Sequence, residues 1–150
     1  VDEAIHLLNL DREAQPVTYS NRCDRELVVL ADSQRLLQVF VNLLGNARDA
    51  CGEDGRVQVQ AYATGEQVLV DVDDNGSGIP GHLQSQIFEP FFTTKDPGSG
   101  TGLGLALVYS IIEDLGGSVQ LTSPLQEGER PGTRFTLRLN RASYGTAFEV

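Results

Sequence analysis

Two neighbouring segments in the middle of the chain alternate apolar and polar residues, and they restrict the fold more than any other feature. Residues 56–63 read RVQVQAYA and residues 67–74 read QVLVDVDD, with only a short glycine-containing connection between them. This alternation predicts two β-strands that form a hairpin with one buried face. A second alternating pair, SVQLTS and TRFTLRL, follows near the end of the chain. Consecutive strands of this kind argue against a parallel, doubly wound sheet.

Three helical patterns accompany these strands. Residues 2–9 read as a short helix, and Asp32 is placed to cap a long helix that ends near Ala50. Two weaker strand candidates, VTYS and ELVVL, lie between these helices, and a third helix precedes the second strand pair. We predict an α+β fold, a two-layer α/β sandwich in which helices cover one face of a mixed, mostly antiparallel sheet. We expect one domain over residues 1–139 and a C-terminal tail over residues 140–150.

The charge of the chain limits its partners. The 150 residues carry a formal net charge of -10, which argues against a nucleic acid, because phosphate backbones bind basic surfaces. A small anionic ligand remains compatible, since a few local donors can hold it. No apolar run approaches the roughly 20 residues of a membrane-spanning helix, and the acidic start, VDEAIHLL, does not resemble a signal peptide. Cys23 and Cys51 lack the spacing of a metal site, so we expect two ordinary thiols and no zinc.

The long helix carries a narrow polar stripe. Its members fall within about 100° of the circumference, and the other positions are almost all apolar, which predicts a mostly buried helix. The stripe contains Arg35, Gln38, Asn42, Gly45, Asn46 and Asp49. One interpretation is a solvated face, but asparagine is a poor helix former, and solvated faces favour Glu and Lys. The alternative is a site in which the neutral oxygens of Asn42 and Asn46 bind Mg²⁺ together with phosphates.

Two glycine-rich segments bound a long irregular stretch over residues 75–101. Residues 76–81, GSGIPG, fit GxGxxG, yet no helix and parallel strand follow them, so a dinucleotide-binding fold is not supported. Residues 98–104, GSGTGLG, fit neither that pattern nor a Walker loop. A helix begins directly afterwards, and its first N–H groups can hold phosphate oxygens. We therefore expect a functional lid, with a ligand-free glycine hinge as the alternative.

Asp74 ends a predicted strand just before the first glycine segment. A carboxylate at this place can accept a hydrogen bond from an exocyclic amine such as that of adenine. The competing interpretation is a solvated aspartate in a turn, since Asp-Asn-Gly is typical of turns. The carboxylate, the asparagines and the glycine segments together favour a nucleotide site.

In their order and spacing, these motifs resemble those of the catalytic ATP-binding domain of sensor histidine kinases, in the Bergerat-fold or GHKL group of ATPases and kinases. Residues 42–50 (NLLGNARDA) resemble the N box, and residues 74–79 (DNGSGI) resemble the first glycine box. Residues 88–95 (FEPFFTTK) resemble the F box, and residues 100–105 (GTGLGL) the second glycine box. Residues 132–135 (GTRF) resemble the final glycine–threonine element. The resemblance extends over nearly the whole chain.

The resemblance implies roles for individual residues. Asn46 would bind Mg²⁺ with help from Asn42, and Asp74 would recognise the adenine amine with Thr133 nearby. The residues implied in binding ATP are Asn42, Asn46, Asp49, Asp74, Gly76, Gly78, Ile79, Phe91, Thr94, Lys95, Gly100, Thr101, Gly102, Leu103, Gly104, Leu105 and Thr133. Asn42 and Lys95 are the implied catalytic residues.

The sequence also departs from the usual pattern. Many histidine kinases have a lysine and then an aromatic residue where Asp49 and Ala50 stand, so Lys95 would supply the phosphate-balancing charge instead. The alternative for Lys95 is a solvated lid residue. The Asp-Ala ending and the segment FEPFFTTK resemble the nitrogen-regulation and dicarboxylate-sensing branch of the family.

Position 42 separates the classes within this group. Hydrolytic and serine-directed relatives typically carry Glu there, whereas Asn42 cannot act as a general base. Asparagine therefore favours transfer of the γ-phosphate of ATP to a histidine, which is itself the nucleophile. Neither His6 nor His82 has the sequence context of an accepting histidine. A hydrolytic or serine-directed ATPase or kinase and a degenerate nucleotide-binding scaffold are the alternatives.

The resemblance further implies partners. The acceptor histidine would lie on a dimerisation domain of the same kinase, which forms a homodimer through upstream residues, and a response regulator would act downstream. ATP and Mg²⁺ would be the cofactors. The implied location is cytoplasmic, alone or as the cytoplasmic part of a membrane-anchored sensor, with no direct membrane contact by this segment.

Overall fold

The computed structural model describes residues 1–10, 17–24, 26–90 and 104–141, together with the backbone of residues 148–149. In this part of the chain the helices are Asp2–Asn9 (α1), Ser33–Ala50 (α2) and Gly104–Asp114 (α3), and a 3-10 turn spans Gly81–Leu83. The strands are Val17–Asn21 (β1), Val28–Val29 (β2), Gly55–Thr64 (β3), Gln67–Asp74 (β4), Ser118–Thr122 (β5), Thr133–Asn140 (β6) and Phe148–Glu149 (β7).

Five of these strands form one sheet in the order β1-β3-β4-β6-β5. β1 runs parallel to β3, whereas β3–β4, β4–β6 and β5–β6 are antiparallel. Both predicted strand pairs are therefore hairpin-like neighbours, and α2 and α3 pack on the same sheet. The predicted α+β class, a two-layer sandwich with a mixed, mostly antiparallel sheet, is confirmed.

The core lies between the helices and one face of the sheet. Val68, Val70 and Val72 of β4 are almost completely buried, as is Phe40 of α2. Because side chains alternate along a strand, Asp74 lies on the same face as these valines, two residues beyond Val72. The strand therefore delivers one carboxylate to the helix-facing layer, at the end of the core.

The opposite face of the sheet carries cross-strand polar pairs. Nε and Nη2 of Arg134 donate to the two carboxylate oxygens of Asp73 at 2.7 and 2.8 Å. The hydroxyl of Thr136 donates to Oδ1 of Asp71 at 2.6 Å. These pairs join β4 to β6 in the register that sets Asp74 opposite Thr133.

Helix α2 begins as predicted and divides its polar stripe among several neighbours. Oδ1 of Asp32 accepts from the backbone N–H groups of Gln34 and Arg35 at 2.9 and 3.3 Å, which confirms the predicted cap. The guanidinium of Arg35 pairs with Asp114 at 2.8 Å. Gly45 lies against α1, because a Cβ there would stand 3.7 Å from Leu8. The stripe is therefore not one continuous surface.

Two features differ from the sequence expectations. Ala50, assigned to the apolar part of α2, is exposed at the end of the helix. The pattern beyond residue 140 predicts no strand, yet Phe148–Glu149 pairs antiparallel with Val28–Val29. Partners so far apart in sequence leave no local pattern, which is why the short strand escaped prediction.

Candidate functional site

Asp74 is the centre of the candidate site. Its residue is 7% exposed, and Oδ1 accepts a hydrogen bond from the backbone N–H of Gly76 at 2.8 Å. Burial raises the pKa of this carboxyl to about 6, although the N–H groups of Gly76 and Thr133 act in the opposite direction. Asp74 is therefore a buried acceptor rather than the solvated turn residue considered as its alternative.

Two glycines allow three segments to meet around this carboxylate. A Cβ on Gly76 would stand 2.4 Å from the carbonyl oxygen of Ala50, so the backbone after β4 lies directly against the end of α2. Gly132 has a φ of +76°, and a Cβ there would stand 2.4 Å from the carbonyl oxygen of Asp74. The N–H of Gly132 donates to the carbonyl of Gly76 at 3.0 Å. These contacts fix the backbone on both sides of Asp74.

The two asparagines of α2 meet the first residue of α3. A Cβ on Gly104 would stand 3.0 Å from Oδ1 of Asn42 and 3.8 Å from Nδ2 of Asn46. Asn42 uses its Nδ2 to donate to the carbonyl of Gln38 at 2.9 Å, which leaves its Oδ1 directed to the start of α3. Both asparagine residues are partly buried. The structure thus brings together Asn42, Asn46 and Gly104.

The arrangement suits a phosphate group at one end and a purine at the other. The start of an α-helix presents unpaired N–H groups, and Gly104 begins the eleven-residue helix α3. Asn42, beside Gly104, precedes Ala50, beside Gly76, by eight residues of α2, which is about 12 Å along the helix axis. An elongated ligand lying along α2 would therefore contact both ends of the site.

A magnesium ion fits this donor set only in company with other ligands. Among the described residues no cluster of three or more His, Cys, Asp or Glu side chains could hold a metal ion. The oxygens of Asn42 and Asn46 are neutral and hard, and Mg²⁺ usually keeps waters and substrate phosphates in its coordination shell. The oxygen of Asn42 points to where the helix N-terminus would hold phosphates, so the residues present fit that mode of binding.

The other predicted site residues fall into two groups. Gly78 has a φ of +77°, and Ile79 and Leu105 are partly buried, whereas Asp49 is exposed in the last turn of α2, with Oδ1 3.5 Å from Nε of Arg48. Those outside the described residues are Phe91, Thr94, Lys95, Gly100, Thr101, Gly102 and Leu103.

The described part of the expected lid ends at residue 90. Near this end, the ring of Phe88 lies 5.7 Å from the ring of Tyr109 and 6.1 Å from that of Phe135, measured between centroids.

Sequence reasoning missed two residues that contact Ile79, one of the predicted site residues. Ser123 follows β5, and its Oγ accepts from the N–H of Ile79 at 3.0 Å and donates to the carbonyl of Gly132 at 3.0 Å. Nε2 of Gln84 donates to the carbonyls of Ile79 and Ser123 at 2.9 and 3.1 Å. Ser123 is the last residue of the predicted strand SVQLTS, and Gln84 lies in the irregular stretch over residues 75–101, so no sequence signal marks the contacts that they make.

A second place in the structure competes for a ligand. A cavity of about 410 Å³ lies between α1, the start of α2 and the strands β3 and β4, with Phe40 and Val70 among its lining residues. Its lining also carries the carboxylates of Asp2, Glu3 and Asp24, which repel an anionic ligand. The polar groups that could hold a phosphate converge elsewhere, at the start of α3.

The described part of the chain contains no helix that could cross a membrane.

Comparison with known proteins gives matches over most of the chain. Residues 31–143 match the family described as histidine kinase-, DNA gyrase B-, and HSP90-like ATPase. The chain is 39% identical over 140 residues to the sensor histidine kinase ZraS of Escherichia coli, covering 93% of this chain and 29% of that protein. It is 38% identical over 118 residues to the C4-dicarboxylate transport sensor protein DctB of Rhizobium meliloti, covering 77% of this chain and 18% of that protein. The chain thus spans less than a third of either relative.

Solved structures show the same fold. The mycobacterial sensor histidine kinase MprB aligns with a TM-score of 0.82 at 26% identity, covering 93% of this chain and 91% of that one. Full-length ShkA in complex with AMPPNP aligns at 0.78 and 28% identity, covering 95% and 29%. The histidine kinase ThkA in complex with the response regulator protein TrrA aligns at 0.72 and 30% identity, covering 94% and 39%.

Proposed function

The chain belongs to the histidine kinase-, DNA gyrase B-, and HSP90-like ATPase family, and from this premise we propose that it binds Mg-ATP and donates the γ-phosphate to a histidine on a separate domain of a two-component sensor kinase. The observation that carries the proposal is the buried carboxylate of Asp74 at the end of β4. It lies on the same side of the sheet as the asparagines of α2 and the start of α3. The names of the relatives, ZraS and DctB among them, support the assignment to sensor kinases.

The purine would be recognised at Asp74. The ionised carboxylate accepts, so it can take a hydrogen bond from the 6-amino group of adenine. Thr133, opposite Asp74 in the β4–β6 register and 2% exposed, supplies a second polar atom at this place. Because Gly76 has no side chain and lies against Ala50, the purine ring would contact main-chain atoms there rather than side chains.

The triphosphate would lie against the start of α3. The N–H groups there would supply donors for its oxygens, and we propose that the glycine segment before Gly104 would supply others. Asn42 and Asn46 would hold Mg²⁺, whose chemistry is to neutralise charge on the phosphate oxygens. We propose that Lys95 and the second glycine box, residues 100–105, complete this end of the site.

The chemistry of position 42 favours phosphotransfer over hydrolysis. An amide cannot remove a proton from water, so Asn42 positions groups without activating a water molecule. An imidazole needs no such activation: its nitrogen forms the N–P bond as the bond from the γ-phosphorus to the bridging oxygen breaks and ADP leaves. The acceptor would be a histidine of the dimerisation domain of the same kinase, which we propose to be a homodimer.

We also propose a response regulator as the downstream partner and the cytoplasm as the location. ThkA, which shares the fold at 30% identity, has been solved with a response regulator protein. The net charge of -10 argues against nucleic acid as a partner.

The test is an assay of the full-length kinase that contains this chain, with ATP labelled at the γ-phosphate. We expect incorporation of label that is stable in alkali and lost in acid, as for a phosphohistidine. We also expect negligible release of inorganic phosphate by the isolated chain. Rapid hydrolysis by the isolated chain would favour the hydrolytic alternative, and ATP binding without any labelling would favour the scaffold.

The role of Asn46 in binding the metal has its own test. Replacing Asn46 with Ala removes one oxygen ligand but leaves Asp74 and the glycines intact. We expect ATP affinity to fall about five- to tenfold in Mg²⁺ and to change little in EDTA, because one ligand of a partly hydrated ion is lost. Titration calorimetry in both buffers measures this, and an equal loss in EDTA would show that Asn46 contacts the nucleotide and not the metal.

A further inference from the structure

Ser123 joins the segments that surround Asp74, and its hydroxyl is fully used. Oγ accepts from the N–H of Ile79 and donates to the carbonyl of Gly132, each at 3.0 Å. Oγ1 of Thr133 lies 3.3 Å from the same oxygen. One side chain therefore contacts the first part of the lid and the strand that faces Asp74.

The donors and acceptors in this group can have only one arrangement. A serine hydroxyl has one proton and two lone pairs. The carbonyl of Gly132 can only accept, so the hydroxyl of Ser123 donates to it, and the N–H of Ile79 donates to one lone pair of Ser123 Oγ. The contact with Thr133 must then use the proton of Thr133 and the second lone pair of Ser123. Thr133 has no proton left to offer elsewhere.

Ser123 is held in this position by a second polar side chain. Nε2 of Gln84 donates to the backbone carbonyls of Ile79 and Ser123 at 2.9 and 3.1 Å. Gly78 makes room for the contact, because a Cβ on it would stand 3.0 Å from Oγ of Ser123. Both backbone polar groups of Ile79 are thus bonded, and the serine hydroxyl has little freedom to turn.

We propose that Ser123 is a positioning residue that determines purine specificity. Because Ser123 accepts the hydrogen bond that the Thr133 hydroxyl donates, Thr133 can only accept a hydrogen bond from a purine, beside the acceptor Asp74. The inference rests on the proposed function, because it places the purine at Asp74. A 6-amino group carries two N–H donors, which two acceptors can satisfy directly or through a water. A 6-oxo group replaces these two donors with a third acceptor that faces the acceptors of Asp74 and Thr133, which is unfavourable in a buried place.

The test compares Mg-ATP with Mg-ITP, whose purine carries a 6-oxo group, by titration calorimetry on this chain. The quantity measured is the ratio of the ITP and ATP dissociation constants. In Ser123→Ala the hydroxyl of Thr133 loses its acceptor and can donate to the 6-oxo group of ITP. We therefore expect the ratio of the dissociation constants to fall between about twofold and tenfold. Ser123→Thr keeps a hydroxyl and should restore the ratio. Ser118→Ala, an exposed serine on β5, is the matched control and should leave the ratio at the wild-type value.

The outcomes separate this inference from the proposed function. If Ser123→Ala weakens both nucleotides equally, or neither, Ser123 has no role in specificity and the inference is overturned. If the wild-type chain binds neither nucleotide, the proposed function is overturned with it. Should Ser123→Ala fail to fold, Thr133→Val removes the same acceptor without altering Ser123. We expect that variant to lower the ratio also, and an unchanged ratio would overturn the inference.

Discussion

At the scale of single residues, the site depends on a carboxylate that is kept in an unfavourable place. Asp74 is buried at the edge of the core, and burial raises its pKa to about 6. Above that pH the folded state holds a desolvated charge that the unfolded chain exposes to water. A residue that destabilises the apoprotein is expected where a ligand needs it.

Replacing Asp74 with Asn should therefore stabilise the chain without ligand at pH 7.5. An amide oxygen can still accept from the N–H of Gly76, and the gain is on the order of 1–3 kcal/mol. The neighbouring Asp73→Asn is the matched control with the opposite expected sign, because it breaks the bidentate pair with Arg134. Urea unfolding measures both variants. Lower stability for Asp74→Asn than for wild type would show that the ionised carboxylate is favourable here.

The pH dependence follows from the same pKa. Because the folded-state pKa of Asp74 lies above its unfolded value, the relative stability of wild type against Asp74→Asn is highest at low pH and is lost as pH rises through about 6. For ligands, protonation below about pH 6 replaces an acceptor with a donor. We expect the ratio of ITP to ATP dissociation constants to fall as pH drops from 8 to 5, and the ratio cancels the titration of the shared triphosphate. A flat ratio would contradict contact between Asp74 and the purine.

At the scale of elements, helix α2 contacts both ends of the candidate site. The start of α3 meets it at Asn42, and the segment after β4 meets it at Ala50. Both contacts are close approaches of glycine, so the spacing between the elements depends on the absence of a side chain at Gly104 and Gly76. Substitution there should change the site through the packing of elements rather than through lost chemistry.

Gly76→Ala tests this packing. A Cβ would stand 2.4 Å from the carbonyl oxygen of Ala50 and 3.0 Å from Oδ1 of Asp74, and backbone cannot yield as a flexible side chain can. We expect a loss of about 1–3 kcal/mol in stability and weaker ATP binding. Gly81→Ala is the matched control, with no atom within 4 Å of the added carbon, and should stay within about 0.5 kcal/mol of wild type. Equal stability of the two variants would show that Gly76 is not confined.

Local pattern predicted the elements well but not the contacts between them. The cap at Asp32, the two strand pairs and helix α2 follow from short-range spacing, and the structure has them. The parallel pairing of β1 with β3 and the contact of Gly45 with Leu8 join segments distant in sequence, which no local period encodes.

The same distinction applies within the site. The sequence singled out Asp74, Asn42 and Asn46 through their motifs, and the structure places the asparagines together at Gly104. Ser123 carried no signal, because it reads as the last residue of an alternating strand pattern whatever its hydroxyl contacts. A hydroxyl's role depends on its three-dimensional neighbours, which a sequence motif does not contain.

At the scale of the whole molecule, the two faces of the sheet have different roles: one carries the polar pairs between strands, and the other carries Asp74 and Thr133. The open face fixes the β4–β6 register through the pairs of Arg134 with Asp73 and of Thr136 with Asp71. The covered face uses that register to hold Asp74 and Thr133 side by side under the helices. Because the chain carries a net charge of -10, its overall field does not favour a triphosphate, and the proposed site would hold one through local N–H groups and a metal.

The most direct test of the central claim is a calorimetric titration of this chain with Mg-AMPPNP at pH 7.5, for wild type and Asp74→Asn. We predict a single site in the wild type and an affinity lower by about tenfold or more in Asp74→Asn, because a hydrogen bond to a charged group is lost. Unfolding curves of the two proteins show that any loss is not a loss of fold. No binding by the wild type, or equal affinity in both, would contradict a nucleotide site built around Asp74.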